Sequence, residues 1–383
     1  MRRYLVIAAC LAAPATLAAQ SSQFGVSGLG LPGRHSSVRA MGTGGGFSMF
    51  DPGSSVNPAS LMEQAAMGAS FTGLQNFRSS SIGDRSESGR NTRFPQVMIG
   101  GPLRRVPLAI GASFSTYTDR DFALASEDVV VLRGIGVPVF DTLTSLGGIS
   151  DLRLAGAYRA AGWTFGAGFH VITGSTRNTV RRVFEDTSYA PVSERAEIAY
   201  SGIGVSAGLS RPLGGRLTVS ALFRMDGDAS IERDSTHVGD VDLPIAFGGG
   251  FRWRPSARLD IGTQVITHRW GTADADLRAL GGTGARNTVE LAAGVELIRN
   301  LRRPQQRPIR LGARYATLPF PVENGSQAHE VGVAIGSGFR FAQDRAGLDH
   351  AGIDLSVERV WRRASGGHSE GAWLIGVGVS VRP

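Results

Sequence analysis

Residues Ser36–Leu61 read SSVRAMGTGGGFSMFDPGSSVNPASL, and this stretch decides how the rest of the chain is understood. Gly42, Gly44, Gly45, Gly46 and Gly53, with Pro52 and Pro58, interrupt it too often for a helix or a strand to persist. The expectation is therefore a compact, irregular segment. From Met67 onward the chain changes character and alternates short strand-like segments to its end. The expected arrangement is a barrel built by the later strands around this early segment.

Three pieces stand in a telling order: Arg39-Ala40-Met41-Gly42, then Gly45-Gly46-Phe47, then Asn57-Pro58-Ala59. They resemble the N-terminal plug, or hatch, of the long-chain fatty acid transporter (FadL) family, in which a similar run leads into Asn-Pro-Ala just before the first barrel strand. The secretion-associated barrel PorV, a relative of that family, shares the signature. The resemblance implies a plug over residues 21–64 and a barrel over 65–383. It also implies a gate drawn from Arg39, Gly42, Gly45, Phe47, Phe50, Asn57 and Pro58.

Composition points the same way. Glycine contributes 53 of 383 residues, about twice its usual share of roughly 7%. Mean hydropathy is near zero, although no long apolar run follows the first twenty residues. Strands that alternate lipid-facing and lumen-facing residues produce that combination. The N-terminus reads as a secretory signal over 1–20: Arg2 and Arg3, an apolar core from Tyr4 to Ala13, and small residues up to Ala19. Ile7-Ala8-Ala9-Cys10 looks like a lipidation box, but too little apolar chain precedes Cys10 and more follows it. With Cys10 removed in the signal, no disulfide framework is available.

Net charge is +8, or +6 without Arg2 and Arg3, and every basic residue is arginine. Nucleic-acid binding is not expected, because the arginines neither cluster on a helix nor interleave with stacking aromatics. Arg104-Arg105, Arg211, Arg216, Arg254, Arg258 and Arg302-Arg303 fall instead in short turns. There they would form a positive ring suited to outer-membrane lipid headgroups.

Fourteen alternating segments are predicted near 65–75, 94–101, 106–117, 151–160, 163–174, 197–210, 216–226, 242–253, 258–269, 288–298, 308–317, 329–340, 350–361 and 371–381. The last is the clearest, with Trp373, Ile375, Val377, Val379 and Val381 on one face and Gly376, Gly378 and Ser380 on the other. Short connections follow even segments and long ones follow odd segments, the pattern of outer-membrane barrels. The predicted fold is all-β: a closed antiparallel transmembrane barrel of about 14 strands with an N-terminal plug, in the bacterial outer membrane. Tyr158, Trp163, Phe165, Phe169, Phe251, Trp253, Trp270, Trp361 and Trp373 are expected in an interfacial girdle. One departure from the resembled pattern is the ending Ser380-Val381-Arg382-Pro383, where such barrels commonly finish on an aromatic residue.

Catalytic and cofactor motifs are weak. Gly204-Val205-Ser206-Ala207-Gly208 fits G-x-S-x-G, but that motif needs a sharp strand-to-helix turn. Inside a strand, Ser206 reads as a small lumen-facing residue. Gly28-Leu29-Gly30-Leu31-Pro32-Gly33 lacks the flanking strand and helix of a nucleotide loop. The histidines are dispersed without ligand spacing, and His170 reads as a hydrogen-bonded wall residue. No metal, cofactor or catalytic centre is expected. The polar strand faces should send Arg153, Arg224, Arg252, Arg310, Arg314, Asp260, Glu290, Glu296, Asp354 and Glu358 into the lumen as a paired charge ladder. The long connection at 118–150 is strongly apolar around Val130, Leu132, Ile135, Val137 and Phe140. Such a patch marks a ligand groove, a partner surface or self-packing over the mouth. The leading functional expectation is passive uptake of hydrophobic small molecules such as fatty acids. The alternative is a PorV-like barrel that holds secreted or surface-attached proteins.

Overall fold

The computed structural model describes residues 22–83, 85–304, 306–322, 325–343 and 349–382, so the signal-peptide reading and Cys10 lie outside the described residues. In chain order the strands are β1 (Leu31–Pro32), β2 (Gly68–Ile82), β3 (Arg85–Pro102), β4 (Leu108–Asp119), β5 (Phe122–Leu132) and β6 (Ile135–Ala160). Next come β7 (Trp163–Phe184), β8 (Val192–Leu213), β9 (Leu217–Arg233), β10 (Thr236–Asp242), β11 (Ile245–Ser256) and β12 (Leu259–His268). The last five are β13 (Thr288–Leu297), β14 (Ile309–Thr317), β15 (His329–Gln343), β16 (Asp349–Ala364) and β17 (His368–Val381). Two short helices, α1 (Val38–Met41) and α2 (Asp274–Ala279), complete the set.

Fourteen of the strands, β2–β4, β6–β9 and β11–β17, form one antiparallel ring. It closes where β17 pairs with β2, from Val381 opposite Ala69 to His368 opposite Ile82. Closure leaves no open edge, which is the condition for crossing lipid with strands. All fourteen segments expected from period-two alternation fall on these strands. Of the other three, β5 pairs with β6, β10 pairs with β9, and β1 pairs Leu31 and Pro32 with Asp119 and Thr118 of β4.

Leu152, Leu154, Val333, Ile335, Trp373 and Val377 are exposed on the outer face, whereas Arg153, Arg310 and Glu296 are buried on the inner one. An apolar exterior around a polar, closed lumen places this barrel in the bacterial outer membrane. The turn arginines Arg104, Arg105, Arg216, Arg254, Arg258, Arg302 and Arg303 all fall at the end where β3–β4, β8–β9, β11–β12 and β13–β14 connect.

The long connections differ from expectation. At 76–93 and 118–150 they are strands that run on and reverse in tight turns, the second at Arg133 and Gly134, both with positive φ. β6 has 26 residues and β7 and β8 have 22 each, against about 10 needed to cross a bilayer. Above the membrane a strand no longer needs an apolar outer face. The hydropathy signal therefore fades while the hydrogen-bond ladder continues. On the opposite side β12, β13 and β14 have 10, 10 and 9 residues.

Trp270 is a further correction: it is buried, not part of the girdle. It follows β12 in a 3₁₀ turn, Trp270–Ala273, that folds inward ahead of α2. There it packs with Tyr117 (ring centroids 6.2 Å), Phe320 (5.1 Å) and Leu277 in an apolar cap over the mouth.

The N-terminal segment, residues 22–67, lies inside the ring. Its α1 touches β15–β17, and its 3₁₀ turn Pro58–Glu63 touches β3, β4, β6, β7 and β8. Contact with opposite sides of a closed wall is possible only from the lumen.

Candidate functional site: the lumen and its N-terminal segment

Local sequence shapes the segment first. Ser37 caps α1, its Oγ accepting from Ala40 N at 3.1 Å. Asn57 caps the 3₁₀ turn, its Oδ1 accepting from Ala59 N at 3.0 Å, with Pro58 at the first position. Between the two caps the chain lies directly on the wall. An added Cβ at Gly44 would stand 2.6 Å from Ala313 N, and one at Gly46 would stand 2.5 Å from Gly294 N and 2.7 Å from Gly262 O. One at Gly42 would reach 3.0 Å from Gly336 Cα. The wall answers in kind. Gly262, Gly294 and Gly312 stand in register across β12, β13 and β14, forming a side-chain-free row under Thr43–Gly46. Gly45 needs its residue type for another reason, a φ of +92°.

Polar bonds from the wall then fix the segment. Arg39 Nη2 lies 3.1 Å from Glu296 Oε1, and its Nη1 lies 3.5 Å from Asp51. Arg34 Nη1 lies 2.6 Å from Glu358 Oε2. Gln264 Oε1 accepts from Met49 N at 3.1 Å, and Gln96 Nε2 donates to Gly53 O at 2.7 Å. Arg153 Nη1 donates to Ser55 O at 2.8 Å. Asn57 Nδ2 donates to Ser220 Oγ at 2.6 Å and to Met49 O at 3.3 Å. Phe50 packs with Met49, Leu222 and Ile266, while Phe47 lies under the Arg252 guanidinium, 5.7 Å from its ring centroid.

The lumen charges come together in chains. Arg310 bridges Glu296 (2.7 Å) and Asp354 (2.7 Å), and Arg340 also reaches Asp354 (2.9 Å). Arg314 pairs with Glu330 and Glu358, and Arg362 pairs with Glu330 and Glu370. Arg252 pairs with Asp260. Arg224 joins Asp151 (2.7 Å) to Asp226 (2.9 Å). Glu290 is half-buried beside Gly45. The sequence reading missed Asp151, Asp226, Glu330, Arg340, Arg362, Glu370 and Arg34. For all but Arg34, which lies in the N-terminal segment, the one available signal is an inward-phase position on a strand, which needs the strand boundaries to be known.

One group has a distinct arrangement. His170 Nδ1 lies 2.9 Å from Asp151 Oδ1, and His170 Nε2 lies 2.8 Å from Ser206 Oγ. Ser206 remains mid-strand and lumen-facing, without the elbow its motif would need.

The segment divides the lumen. Toward the cap lies a cavity of about 230 Å³, lined by Leu31, Val56, Leu222, Ile266, Trp270 and Leu318, with Arg34, Arg224, Glu290 and Arg362 also on its wall. Toward the opposite end lies a more polar cavity of about 300 Å³, lined by Arg39, Asp51, Arg252, Arg340 and Asp354 with Phe50 at its edge. Outside, the apolar stretch at 129–140 forms the β5–β6 hairpin. Ile135 and Phe140 are exposed and Val130 and Leu132 half-buried, whereas Val137 is buried.

No protein-family profile matches this chain, and no curated protein matches its sequence. Solved structures do match. A FadL homologue from Pseudomonas aeruginosa superposes with a TM-score of 0.61 at 12% identity, covering 92% of this chain and 99% of that one. The toluene transporter TbuX of Ralstonia pickettii gives 0.57 at 14% identity, over 91% and 98%. The toluene transporter TodX of Pseudomonas putida gives 0.56 at 14%, over 92% and 99%. The chain therefore has the fold of a FadL-like outer-membrane barrel.

Proposed function

We propose that this protein is a passive outer-membrane channel for hydrophobic small molecules, with the N-terminal segment as its hatch. The observation that carries the reading is the 230 Å³ cavity between an apolar cap and the segment. An apolar cavity of about 150 Å³ is enough to hold benzene, so a monoaromatic or a short acyl chain fits. The barrels of like fold described as toluene transporters support the same substrate class. Substrate is captured by exposed residues of the β5–β6 hairpin, Ile135 and Phe140 among them, and passes the aromatic cap around Trp270. It then rests above Val56 and is released when the Arg39–Asn57 stretch leaves its glycine row. A protein-handling barrel would need an open, solvent-filled interior, whereas here Arg310 and Arg314 are tied into ion pairs with Glu296, Asp354 and Glu358 across the lumen, and the mouth is packed with apolar side chains.

Reconstituted liposomes test it. Uptake of toluene or octanoate should exceed that of a glucose control and of protein-free vesicles. Equal rates for all three would refute the reading, as would recovery of the protein from membranes without detergent.

A further inference from the structure

Asp151, His170 and Ser206 stand on three neighbouring strands, β6, β7 and β8, all directed into the lumen and all buried. Their order of contact is carboxylate to Nδ1 and Nε2 to hydroxyl, at 2.9 Å and 2.8 Å. That is the connectivity by which a base activates a serine while a third group orients the base. Arg224 Nη1 holds the other oxygen of Asp151 at 2.7 Å, so the carboxylate stays anionic and its partner nitrogen keeps the proton. Nε2 is then the free acceptor that Ser206 requires.

Two more features belong to a reaction site and are not needed for wall bracing. Ser206 pairs directly with Gly168 of β7, where an added Cβ would stand 2.6 Å from Ser206 Oγ and 3.5 Å from Arg153 Cδ. The missing side chain leaves room at the nucleophile. Among the described residues Arg153 Nε and Arg224 Nη2 are buried without hydrogen-bond partners, and Arg224 stands directly opposite Ser206 on β9. Unpaired cationic N–H groups beside a serine can receive the negative charge that develops on an attacked carbonyl oxygen.

We propose that Ser206 is the nucleophile of an ester hydrolase acting on esters of hydrophobic carboxylic acids that enter the lumen, a role that rests on the uptake reading for delivery of substrate. Ser206 Oγ adds to the ester carbonyl carbon as its proton passes to His170 Nε2. The carbon–alkoxide bond then breaks, and the leaving oxygen takes that proton. Water attacks the acyl-serine, giving a proton to Nε2. The ester bond to Ser206 breaks, Oγ recovers the proton, and the carboxylic acid departs. Asp151 is a positioning residue. Ser206 is only 7% exposed. The cavity reaches Arg224 and Ser55, and Ser55 is the residue that ties Arg153 to the N-terminal segment. Movement of the segment at Ser55 is what admits substrate.

The test uses the full chain in detergent micelles with an alkyl fluorophosphonate, which phosphonylates activated serines with loss of fluoride. An adduct on Ser206 by mass spectrometry is the expected result, read on the unmodified protein so that no variant has to fold. Turnover of p-nitrophenyl butyrate should fall about 100-fold or more in Ser206→Ala, and Asp151→Asn should displace the pH profile of turnover. Absence of an adduct on heat-modifiable protein, or equal turnover in Ser206→Ala, would overturn the proposal. Toluene flux through the parent protein is measured alongside. Labelling without flux removes the uptake reading alone, and flux without labelling removes the nucleophile alone.

Discussion

Replacing Asn57 by alanine isolates the hold of the wall on the N-terminal segment. Asn57 is completely buried and makes three bonds, to Ser220 Oγ, Met49 O and Ala59 N. Ser220 keeps a second partner, donating to Leu209 O at 2.9 Å. Truncation therefore strands two groups, the Met49 carbonyl and the Ala59 N–H. An unsatisfied buried group costs about 1–3 kcal/mol, and loss of an N-cap about 1 kcal/mol, which overlaps with the Ala59 share. A total near 3 kcal/mol corresponds, at about 1.4 kcal/mol per tenfold, to a displaced segment populated roughly 100-fold more often. None of these bonds belongs to the strand ladders, so the ring itself should assemble. Leak of a small solute from liposomes should rise by a comparable factor while heat-modifiable migration on gels is retained. Ser220→Ala removes the wall-side acceptor and the bond to Leu209 O but leaves Asn57 its bonds to Met49 O and Ala59 N, and should cost about 1 kcal/mol, less than a tenfold change. Failure of Asn57→Ala to assemble, or a leak equal to the parent's, would refute the hatch reasoning.

Gly46→Val drives a branched side chain into the backbones of β12 and β13, whereas Gly45→Val meets nothing nearer than a side chain at 3.5 Å but forces a β-branched residue to a φ of +92°, so both should displace the segment, the first by collision and the second by backbone strain. Protease cleavage within 36–61 in otherwise folded barrels checks this. Val377→Arg, on the outer face, should cost about 2–4 kcal/mol at mid-bilayer in urea unfolding from vesicles. The same change at the inward Gly376 acts through crowding against Ser356 and Val38 instead, without dependence on bilayer thickness. Arg310→Met takes one arginine from each of Glu296 and Asp354 but leaves them Arg39 and Arg340, so it should cost less than the roughly 3–5 kcal/mol of a fully orphaned buried charge. By contrast, Arg159→Ala breaks an exposed pair with Glu63 and should cost under about 1 kcal/mol. His35, whose Nδ1 lies 2.9 Å from Ser115 Oγ, is pushed down to about 3, first by burial and then by the Arg224 charge. It is neutral while the segment is seated and titrates near 6.5 when released. Its stabilising share is therefore present above about 6.5 and lost as pH falls toward 3. Leak should rise on acidification through that window, and His35→Gln should flatten the rise.

How much of this was legible in the sequence depends on whether a feature lives within one strand or between strands. The alternation of Trp373, Ile375, Val377, Val379 and Val381 is local, and so each of the fourteen segments could be found. Strand ends were not, because the outer parts of β6, β7 and β8 carry Thr, Ser and Arg on both faces once they leave lipid. Trp270 lies off the girdle for a related reason: the end of β12 two residues earlier turns its neighbourhood from wall to cap. Features between strands need register, and a slip of one residue reverses every side chain. The excess of glycine was visible as a number. That Gly262, Gly294 and Gly312 align under Thr43–Gly46 was not, since the alignment depends on two ladders meeting in phase. The same holds for Ser206. Its motif lacks the strand-to-helix elbow, and its partners arrive from β6 and β7 along a diagonal no linear pattern encodes. Arg39-Ala40-Met41-Gly42 and Asn57-Pro58-Ala59 were recognisable because each is a local device, a basic residue in a capped turn and a cap with proline behind it. What they bind, the glycine row and Ser220, lies hundreds of residues away for the first and 163 for the second. Only closure of the ring brings both within reach.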